Sequence, residues 1–324
     1  MHYRFGGCLF AAALLFAAGA AQAQPSAYPS RAVSMIVPTG AGGGTDVVAR
    51  LMSKQLGELL GQPVVVENKA GAGGVIGTQL AARAAPDGHT VLISSNQIAM
   101  IPHLYKTPPF DTKEFAPLTS LVIIPTVVVV NPKVPVKNVR ELVELAKSKP
   151  GELSYASAGN GSPNHLFAEL LNMKAGVKIL HVPYKGIAPA LADVVAGNVA
   201  MAYASLPTVQ AFLDSGRLRA LAVTSSKRIP TLPDVPTVAE SVPGYEADIW
   251  IGLWGVAGTP APILSKLHQS VIKTLADPEV KRRLLDAGMV IDTRSAESFD
   301  KMVRAESDRW AQVIKGLASE ITLQ

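Results

Sequence analysis

Two glycine-rich stretches hold most of the residues that could bind or transform a ligand. The first, IVPTGAGGGTDVVARLM, runs from Ile36 to Met52, and the second, YASAGNGSPNHLFAELL, runs from Tyr155 to Leu171. In each stretch an apolar run typical of a strand leads through glycines and small polar residues into a helical pattern. Free N–H groups at a helix N-terminus attract anions, and glycines let a ligand approach the backbone. Each stretch therefore predicts an anion site.

Neither stretch matches a nucleotide-binding motif. The P-loop requires a lysine after its last glycine, and no lysine follows the glycines here. A dinucleotide motif requires a glycine where Thr45 stands, and GAGGVIG, from Gly71 to Gly77, has its last glycine one position late. Thr45 and Asp46 are typical of a helix start. The carboxylate of Asp46 would repel an anion, so it either binds the backbone and orients the loop or contacts an ammonium or hydroxyl group of the ligand.

His165 lies close in sequence to Ser157 and Ser162, which raises the alternative of a serine hydrolase. The G-x-S-x-G elbow of such enzymes is absent, because the residues around Ser162 are N-G-S-P-N. The histidines form no HxH or HExxH pattern, and no carboxylate-rich loop is present. We therefore expect no catalytic residue, no metal site and no cofactor.

The N-terminus has the features of a secretory signal peptide over residues 1–23. Arg4 precedes an apolar run, and Ala21-Gln22-Ala23 matches a cleavage site of the small-x-small type. The single cysteine, Cys8, lies in this segment, so the chain after Ala23 has no disulfide and no thiolate chemistry. No later run is long and apolar enough to span a bilayer. We expect a periplasmic protein cleaved after Ala23, with a retained membrane anchor as the alternative.

The charge of the chain is mildly positive. Arg4 is the only lysine, arginine or acidic residue in the signal segment, so its removal lowers the net charge from +5 to +4. The basic residues are scattered and do not alternate with aromatic residues, which argues against nucleic acid as a partner. The charge either favours anionic small molecules modestly or reflects only a solvated basic surface.

Strand and helix patterns alternate along most of the chain. The β-α-β-α-β order before residue 96 predicts a mostly parallel sheet covered by helices, and a second α/β series follows. The last part of the chain, from residue 260 onward, is strongly helical. If these helices return to the first unit, the chain crosses between lobes near residues 120–126 and 222–228, which would create a hinge and a cleft. A single wide, doubly wound sheet is the alternative.

The ordered set of motifs resembles the Bug/TctC-type solute-binding receptors of tripartite tricarboxylate transporters. The resemblance covers essentially the whole chain after the signal segment. It is carried by the following stretches: YPSRAVSMIVPTGAGGGTDVVAR, VVVENKAGAGGVIGT, APDGHTVLISS, LSYASAGNGSPNHL, VPYKGIAPALADVVAGNV, SGRLRALAVTSSKR and LPDVPTVAES. It implies an α/β fold of the two-lobed, type II periplasmic binding protein (Venus flytrap) class. We expect lobe 1 to comprise residues 24–123 and 226–324, and lobe 2 residues 124–225.

The resemblance also implies a ligand carboxylate held between the two glycine loops by backbone amides, hydroxyls and ordered waters. The implied ligand-binding residues are Thr39, Gly42, Gly43, Thr45 and Asp46 in the first loop; Ser157, Gly159, Asn160, Ser162 and His165 in the second; and Ser94, Asn96, Tyr184, Lys185 and Ser205 for specificity. Many relatives carry an acid near the YAS motif, whereas this chain has Tyr203-Ala204-Ser205, which argues against an amino-acid ligand.

Two details of the cleft stay open at this point. Lys185 either pairs with a second carboxylate or faces solvent. Trp250 and Trp254, in WIGLWG, either line the pocket or pack in the core.

Three functions fit these observations. The first, which we expect, is a monomeric receptor that captures a small organic anion and delivers it to the membrane subunits of a tripartite tricarboxylate transporter. The second is a co-receptor that binds the same ligand but docks on a signalling system. The third is a periplasmic enzyme acting on a small organic acid.

Overall fold

Two β-sheets covered by helices organise the computed structural model, which describes residues 28–316. The predicted signal peptide and its cleavage site lie outside these residues. The strands are β1 (Val33–Val37), β2 (Val64–Asn68), β3 (Thr90–Ser95), β4 (Phe115–Ile124), β5 (Thr126–Val130), β6 (Ser154–Ser157), β7 (Leu180–Pro183), β8 (Met201–Ser205), β9 (Arg219–Val223), β10 (Ile249–Val256) and β11 (Val290–Ile291). The helices are α1 (Gly44–Leu60), α2 (Val75–Ala82), α3 (Gln97–Leu104), α4 (Val139–Ser148), α5 (Pro163–Ala175), α6 (Ile187–Ala196), α7 (Leu206–Asp214), α8 (Ala261–Ala276), α9 (Pro278–Asp286) and α10 (Ala296–Gly316).

The strands form two separate sheets. The first has the order β11-β4-β10-β3-β1-β2 and the second has the order β7-β6-β8-β5-β9. The chain passes from the first sheet to the second between β4 and β5, through Pro125, and returns between β9 and β10. The prediction of a two-lobed α/β fold is confirmed, and the alternative of one wide sheet is wrong.

Both sheets are mixed, so the prediction of a mostly parallel first sheet needs correction. Strands β2, β1 and β3 are parallel, but β10 runs antiparallel to both β3 and β4. In the second sheet, β5 runs antiparallel to β8 and β9. The reason is topological: β4, β5, β9 and β10 flank the passages between the lobes, so no helical crossover links them in parallel. The β-α-β periodicity applies only within each lobe.

The tryptophans of β10 pack in the core. Trp250 and Trp254 are 4% and 2% exposed, and both rings contact the ring of Phe299 on α10. Gly252 lies between them, and a Cβ there would come within 2.2 Å of the Phe299 ring. The strand and the helix therefore pack so closely that only glycine fits at this position. Core packing is therefore the correct alternative for these tryptophans.

Helix α10 joins the cores of the two lobes. Its N-terminal part places Phe299 and Val303 in the first core, whereas Trp310 and Val313 belong to the core around β5 and α5. The ring of Trp310 stacks on that of Phe167, with centroids 5.9 Å apart. The helix therefore connects the lobes on the side of the two passages.

Truncation of Trp310 tests this connection. Trp310→Ala should lower the free energy of unfolding by about 3–5 kcal/mol, because it removes a fully buried aromatic side chain. Urea unfolding measures the loss, with Leu285→Ala as control. Leu285 is 49% exposed, so its truncation should change stability by no more than about 0.5 kcal/mol. Equal losses in the two variants would contradict this role for α10.

Candidate ligand-binding site

The first glycine loop joins the carboxyl end of β1 to the N-terminus of α1. Gly43 is the N-cap residue, with an extended backbone and no side chain to cover the helix end. Gly42 adopts φ +81°, a conformation that favours glycine. Residues 40–44 are exposed, and helix geometry leaves the first N–H groups of α1 without intrahelical acceptors. An anion can therefore reach these amides directly.

A buried hydrogen-bond network centred on Asp46 fixes this loop from below. Asp46 is 3% exposed, and its carboxylate accepts from the N–H of Gly42 at 2.8 Å and from Nε of Arg50 at 3.0 Å. The amide of Asn68 donates to Asp46 Oδ1 at 3.0 Å and to the Thr39 carbonyl at 3.1 Å. Burial favours a higher pKa for Asp46, but the bonds from Arg50, Gly42 and Asn68 outweigh it, so the pKa lies below its ordinary value. The carboxylate therefore binds the loop backbone and orients the loop, which is the first of the two predicted alternatives.

The second glycine loop joins the carboxyl end of β6 to α5. Gly159 and Gly161 both have positive φ, at +124° and +73°. Ser162 is the N-cap residue, and its hydroxyl donates to the Gly159 carbonyl at 2.7 Å and accepts from the N–H of His165 at 3.4 Å. Asn160 is exposed at the tip of the loop. The loop thus presents Asn160 and the start of α5 toward solvent.

Two stacked histidines support the second loop. The rings of His165 and His181 lie 3.9 Å apart and nearly parallel, and Tyr155 stacks on His181 at 5.0 Å. His165 Nδ1 accepts from the N–H of Gly161 at 3.0 Å, and His181 Nε2 lies 2.6 Å from the hydroxyl of Ser157. Burial, together with the neighbouring His181, lowers the pKa of His165 to about 3, and burial lowers that of His181 to about 4. Both rings are therefore neutral at pH 7.

Ser157 and His165 lie beneath the loop that they shape. Ser157 is completely buried, and its hydroxyl also accepts from the N–H of Gly159 at 3.0 Å. His165 is 3% exposed. These side chains act as positioning groups, and the Ser157–His181 pair has no open face from which a hydroxyl could attack a substrate.

Both loops lie against elements at the junction of the lobes. A Cβ on Gly44 would come within 2.8 Å of Ile124, the last residue of β4. A Cβ on Gly161 would come within 2.7 Å of Leu104, the last residue of α3. Helix α3 starts at the end of β3 in the first sheet, so it links the first lobe to the second loop. The two loops therefore border the same interlobe cleft.

Several buried polar side-chain atoms beside the first loop and at the end of β3 have no hydrogen-bond partner. Within residues 28–316 they include Thr39 Oγ1, Ser94 Oγ, Asn96 Oδ1 and Gln97 Nε2. The side-chain amide of Asn96 donates to the carbonyl of Asp248 at 2.9 Å, which ties the end of β3 to the returning passage.

The other predicted residues differ in what they contact. The hydroxyl of Tyr184 donates to Asp193 at 2.5 Å, which raises the pKa of Tyr184 to about 12. Lys185 is exposed. Ser205 ends β8 and lies 3.2 Å from the hydroxyl of Thr208, whereas Thr45 is buried in the first turn of α1. Of these, Lys185 has the side chain most available to a ligand.

A charged cavity of about 310 Å³ lies where the returning passage meets α10. Its walls include Glu246, Asp248, Arg294, Glu306 and Arg309. Glu306 accepts from the indoles of Trp250 and Trp310. Burial, with Glu246 and Glu306 nearby, raises the pKa of Asp248 to about 7. The acidic residues of this cavity thus lie beside α10 and the returning passage, where the two lobes are connected.

The part of the chain that the structure describes contains no group of three or more His, Cys, Asp or Glu side chains arranged to hold a metal ion. In the same residues, no helix is long and apolar enough to cross a membrane.

Sequence reasoning missed several residues that shape the site. Arg50, Asn68 and His181 hold the two loops. Arg50 could have been found, because it lies one helical turn after Asp46. Asn68 and His181 come from other strands, and no local pattern links them to the loops.

The fold and the cleft define a two-lobed periplasmic binding protein. Similar solved structures include the periplasmic binding protein BugD, which is 38% identical and has a TM-score of 0.80 over 92% of this chain and 100% of that chain. An R. palustris protein with adipate is 36% identical, with a TM-score of 0.81 over 89% of this chain and 97% of that one. MatC from Rhodopseudomonas palustris with bound malate is 33% identical, with a TM-score of 0.80 over 89% and 100%.

The family model for the tripartite tricarboxylate transporter family receptor, TctC, matches residues 48–318. This chain belongs to that family of solute-binding receptors.

Removal of the Asp46 carboxylate tests the loop network. In Asp46→Ala the N–H of Gly42 loses its acceptor, so hydrogen exchange at residues 40–43 should accelerate. The free energy of unfolding should fall by about 1–3 kcal/mol. Asp300→Ala is the control, because Asp300 forms only a surface pair with Arg304 and should contribute less than about 1 kcal/mol. Unchanged exchange in the first loop of Asp46→Ala would contradict the network.

The low pKa of His165 predicts acid sensitivity. Between its pKa of about 3 in the folded protein and 6.5 in the unfolded chain, the unfolded chain binds the extra proton. Stability therefore falls as pH drops below about 6.5, by up to about 1.4 kcal/mol per pH unit for this group. His165→Asn keeps an acceptor near Nδ1 but does not titrate. Urea unfolding at pH 7, 6 and 5 should show a smaller loss of unfolding free energy in the variant than in wild type. The same loss in both proteins would contradict the low pKa of His165.

Proposed function

We propose that this protein captures a small carboxylate ligand between its two glycine loops and delivers it to the membrane subunits of a tripartite tricarboxylate transporter. The observation that carries the proposal is the first loop: an exposed, side-chain-free helix N-terminus held rigid by a buried carboxylate that is already neutralised by Arg50. Such a surface offers donors to an anion without offering a catalytic group.

The comparisons support a carboxylate as the ligand class. MatC holds malate, and the R. palustris protein holds adipate, within the same fold and at over 30% identity. The ligand-binding residues of this chain would be those predicted from the sequence. Some of them would contact the ligand directly, and the others would hold the loops in place. Exposed loop backbone would contact the ligand, whereas Asp46, Ser157 and His165 would hold the loops.

Several further properties belong to the same proposal. The mature protein would begin after Ala23, act in the periplasm as a monomer and have no enzymatic activity. Its lobes would comprise residues 24–123 with 226–324, and residues 124–225; the change from one sheet to the other at Pro125 supports the first bound. Ile229, Val238 and Tyr245 pack in the cores of the second lobe, which favours a return close to Asp248 instead of residue 226.

Binding would proceed by closure of the lobes. A ligand that contacts both loops has a higher affinity for the closed arrangement, so it shifts the equilibrium toward that arrangement. The passages beside Pro125 and Asp248 would serve as hinges, because few backbone segments connect the lobes there.

A thermal-shift screen of the protein from Gln24 onward tests the ligand class. The panel contains small mono-, di- and tricarboxylates, and each stabilising acid is repeated as its amide. A ligand at 100 times its Kd should stabilise the folded protein by about 2.7 kcal/mol. The proposal requires an acid that stabilises and an amide that does not. Since a ligand carried through purification would mask this response, the screen uses protein refolded from denaturant, and a flat panel then refutes a carboxylate ligand.

Gly43→Val provides the matched variant. Gly43 has φ −74°, which any residue can adopt, and the nearest atom to a new Cβ is 3.6 Å away, so folding should be unaffected. The side chain would cover the amides of the helix start. We expect at least about a tenfold loss of affinity, equivalent to about 1.4 kcal/mol, with an unchanged melting temperature of the ligand-free protein.

Ser162→Ala should have a smaller effect, because its hydroxyl caps α5 and bonds to Gly159. Wild-type affinity in both variants, measured by isothermal titration calorimetry, would rule out the two-loop site.

A further inference from the structure

We propose that Asp248 is a proton-responsive hinge residue: its carboxyl is neutral in the arrangement of the lobes seen in this structure and ionises when lobe movement exposes it to water, so the position of the lobes depends on pH. This inference rests on the lobe closure of the proposed function and adds a regulation to it. The sequence analysis placed the second passage near residues 222–228 and did not identify Asp248.

Asp248 lies at the point where the returning chain changes lobe. The N–H of the preceding residue, Ala247, donates to the carbonyl of Thr224, which follows β9 in the second lobe, at 3.2 Å. The next residue, Ile249, pairs with Ile124 of β4 in the first lobe. Asp248 is thus the one residue between these two attachments, and a rotation of one lobe against the other must change its backbone or its surroundings.

The other passage is less free to rotate. Pro125 lies between the last residue of β4 and the first residue of β5, and its ring fixes φ at about −65°. Its carbonyl also accepts from the N–H of Leu206 at 2.8 Å. Asp248 has no such ring, so we expect a larger share of the torsional change of closure to occur there.

The carboxyl of Asp248 lacks a stabilising partner for its charge. Within residues 28–316 its Oδ1 is buried and has no hydrogen-bond partner. The two arginines of the same cavity are bound elsewhere. Arg309 donates to Glu306 Oε1 at 3.4 Å and to the carbonyl of Glu246 at 3.2 Å, and Arg294 donates to an aspartate two residues before it at 2.9 Å. The cavity of about 310 Å³ gives solvent protons access to this side chain.

Titratable groups surround this carboxyl on three elements. They are Tyr245 and Glu246 on its own passage, Glu306 and Arg309 on α10, and Asp292 and Arg294 in the segment after β11. Burial raises the pKa of Tyr245 well above its ordinary value, so this hydroxyl carries no charge at neutral pH. Burial, with Glu246 and Glu306 nearby, raises the pKa of Asp248 to about 7, although Arg309 opposes the rise.

The sign of the pH effect follows from this difference in environment. Where lobe movement hydrates Asp248, its pKa should return toward the ordinary value of 3.8. Between that value and about 7, the arrangement in this structure binds the extra proton. It is therefore favoured as pH falls through about 7 and loses this advantage at higher pH. The ratio of the two arrangements can change by up to about tenfold per pH unit in this window.

The test measures the distance between the lobes without any ligand. The chain from Gln24 onward contains no cysteine, so two introduced cysteines can be labelled specifically. Ile76→Cys places a spin label on α2 of the first lobe, and Leu180→Cys places one on β7 of the second; these side chains are 54% and 44% exposed. Double electron–electron resonance then gives the distance distribution between pH 5.5 and 8.5.

In the labelled protein with native Asp248, the ratio of the two arrangements should change by about tenfold or more between pH 8.5 and 5.5. Asp248→Asn, which imitates the protonated acid, should show the acidic distribution at both pH values. Glu246→Gln removes a neighbouring negative charge and should give a smaller response. Asp300→Asn is the matched control, because Asp300 pairs with Arg304 on the surface of α10, and it should respond like the protein with native Asp300.

Two results would overturn the inference: the same distribution at both pH values with native Asp248, or a full pH response in Asp248→Asn. A full response in Glu246→Gln would contradict the part assigned to the acidic neighbours. Because the measurement uses ligand-free protein, a hinge that ignores pH leaves the proposed carboxylate binding intact. Conversely, a flat carboxylate screen refutes that binding without changing the response of the hinge to protons.

Discussion

A loop that binds an anion through backbone amides cannot use all of those amides to hold its own shape. The protein meets this constraint by placing side chains beneath each loop. In the first loop, Asp46 and Asn68 bind the Gly42 amide and the Thr39 carbonyl. In the second, the Ser157 hydroxyl and His165 accept from Gly159 and Gly161. The groups exposed to the cleft can then be small and uncharged.

The same constraint determines where charge is allowed. A carboxylate under an anion site would repel the ligand, but Arg50 neutralises Asp46 and remains half exposed itself. The histidines under the second loop stay neutral at pH 7 because they are buried against one another. Glu246, Asp248 and Glu306 line the cavity on the α10 side, where Glu306 is held by two indoles. The electrostatics of the cleft are therefore mild, and binding would depend on hydrogen-bond geometry.

Closure requires two rigid lobes and few connections between them. Each lobe has its own sheet and core, and α3 and α10 contribute side chains to both cores. Asn96 connects the end of β3 to the second passage through the carbonyl of Asp248. Movement of the lobes would thus be coupled to the end of β3.

The sequence by itself determined the α/β class and the position of both loops, because strand, glycine and helix-start signals are local. Periodicity left one wide sheet open, and the two-lobed architecture was implied by the family resemblance. It also limited the role of Asp46 to two alternatives. Only the tertiary structure decided that β10 runs antiparallel to both of its neighbours in the first sheet, that the tryptophans of β10 are core residues, and that Ser157 and His165 lie under the loop. Only the fold brought Asn68 to Asp46 and His181 to Ser157. These contacts join residues far apart in the chain, where periodicity and capping rules carry no information.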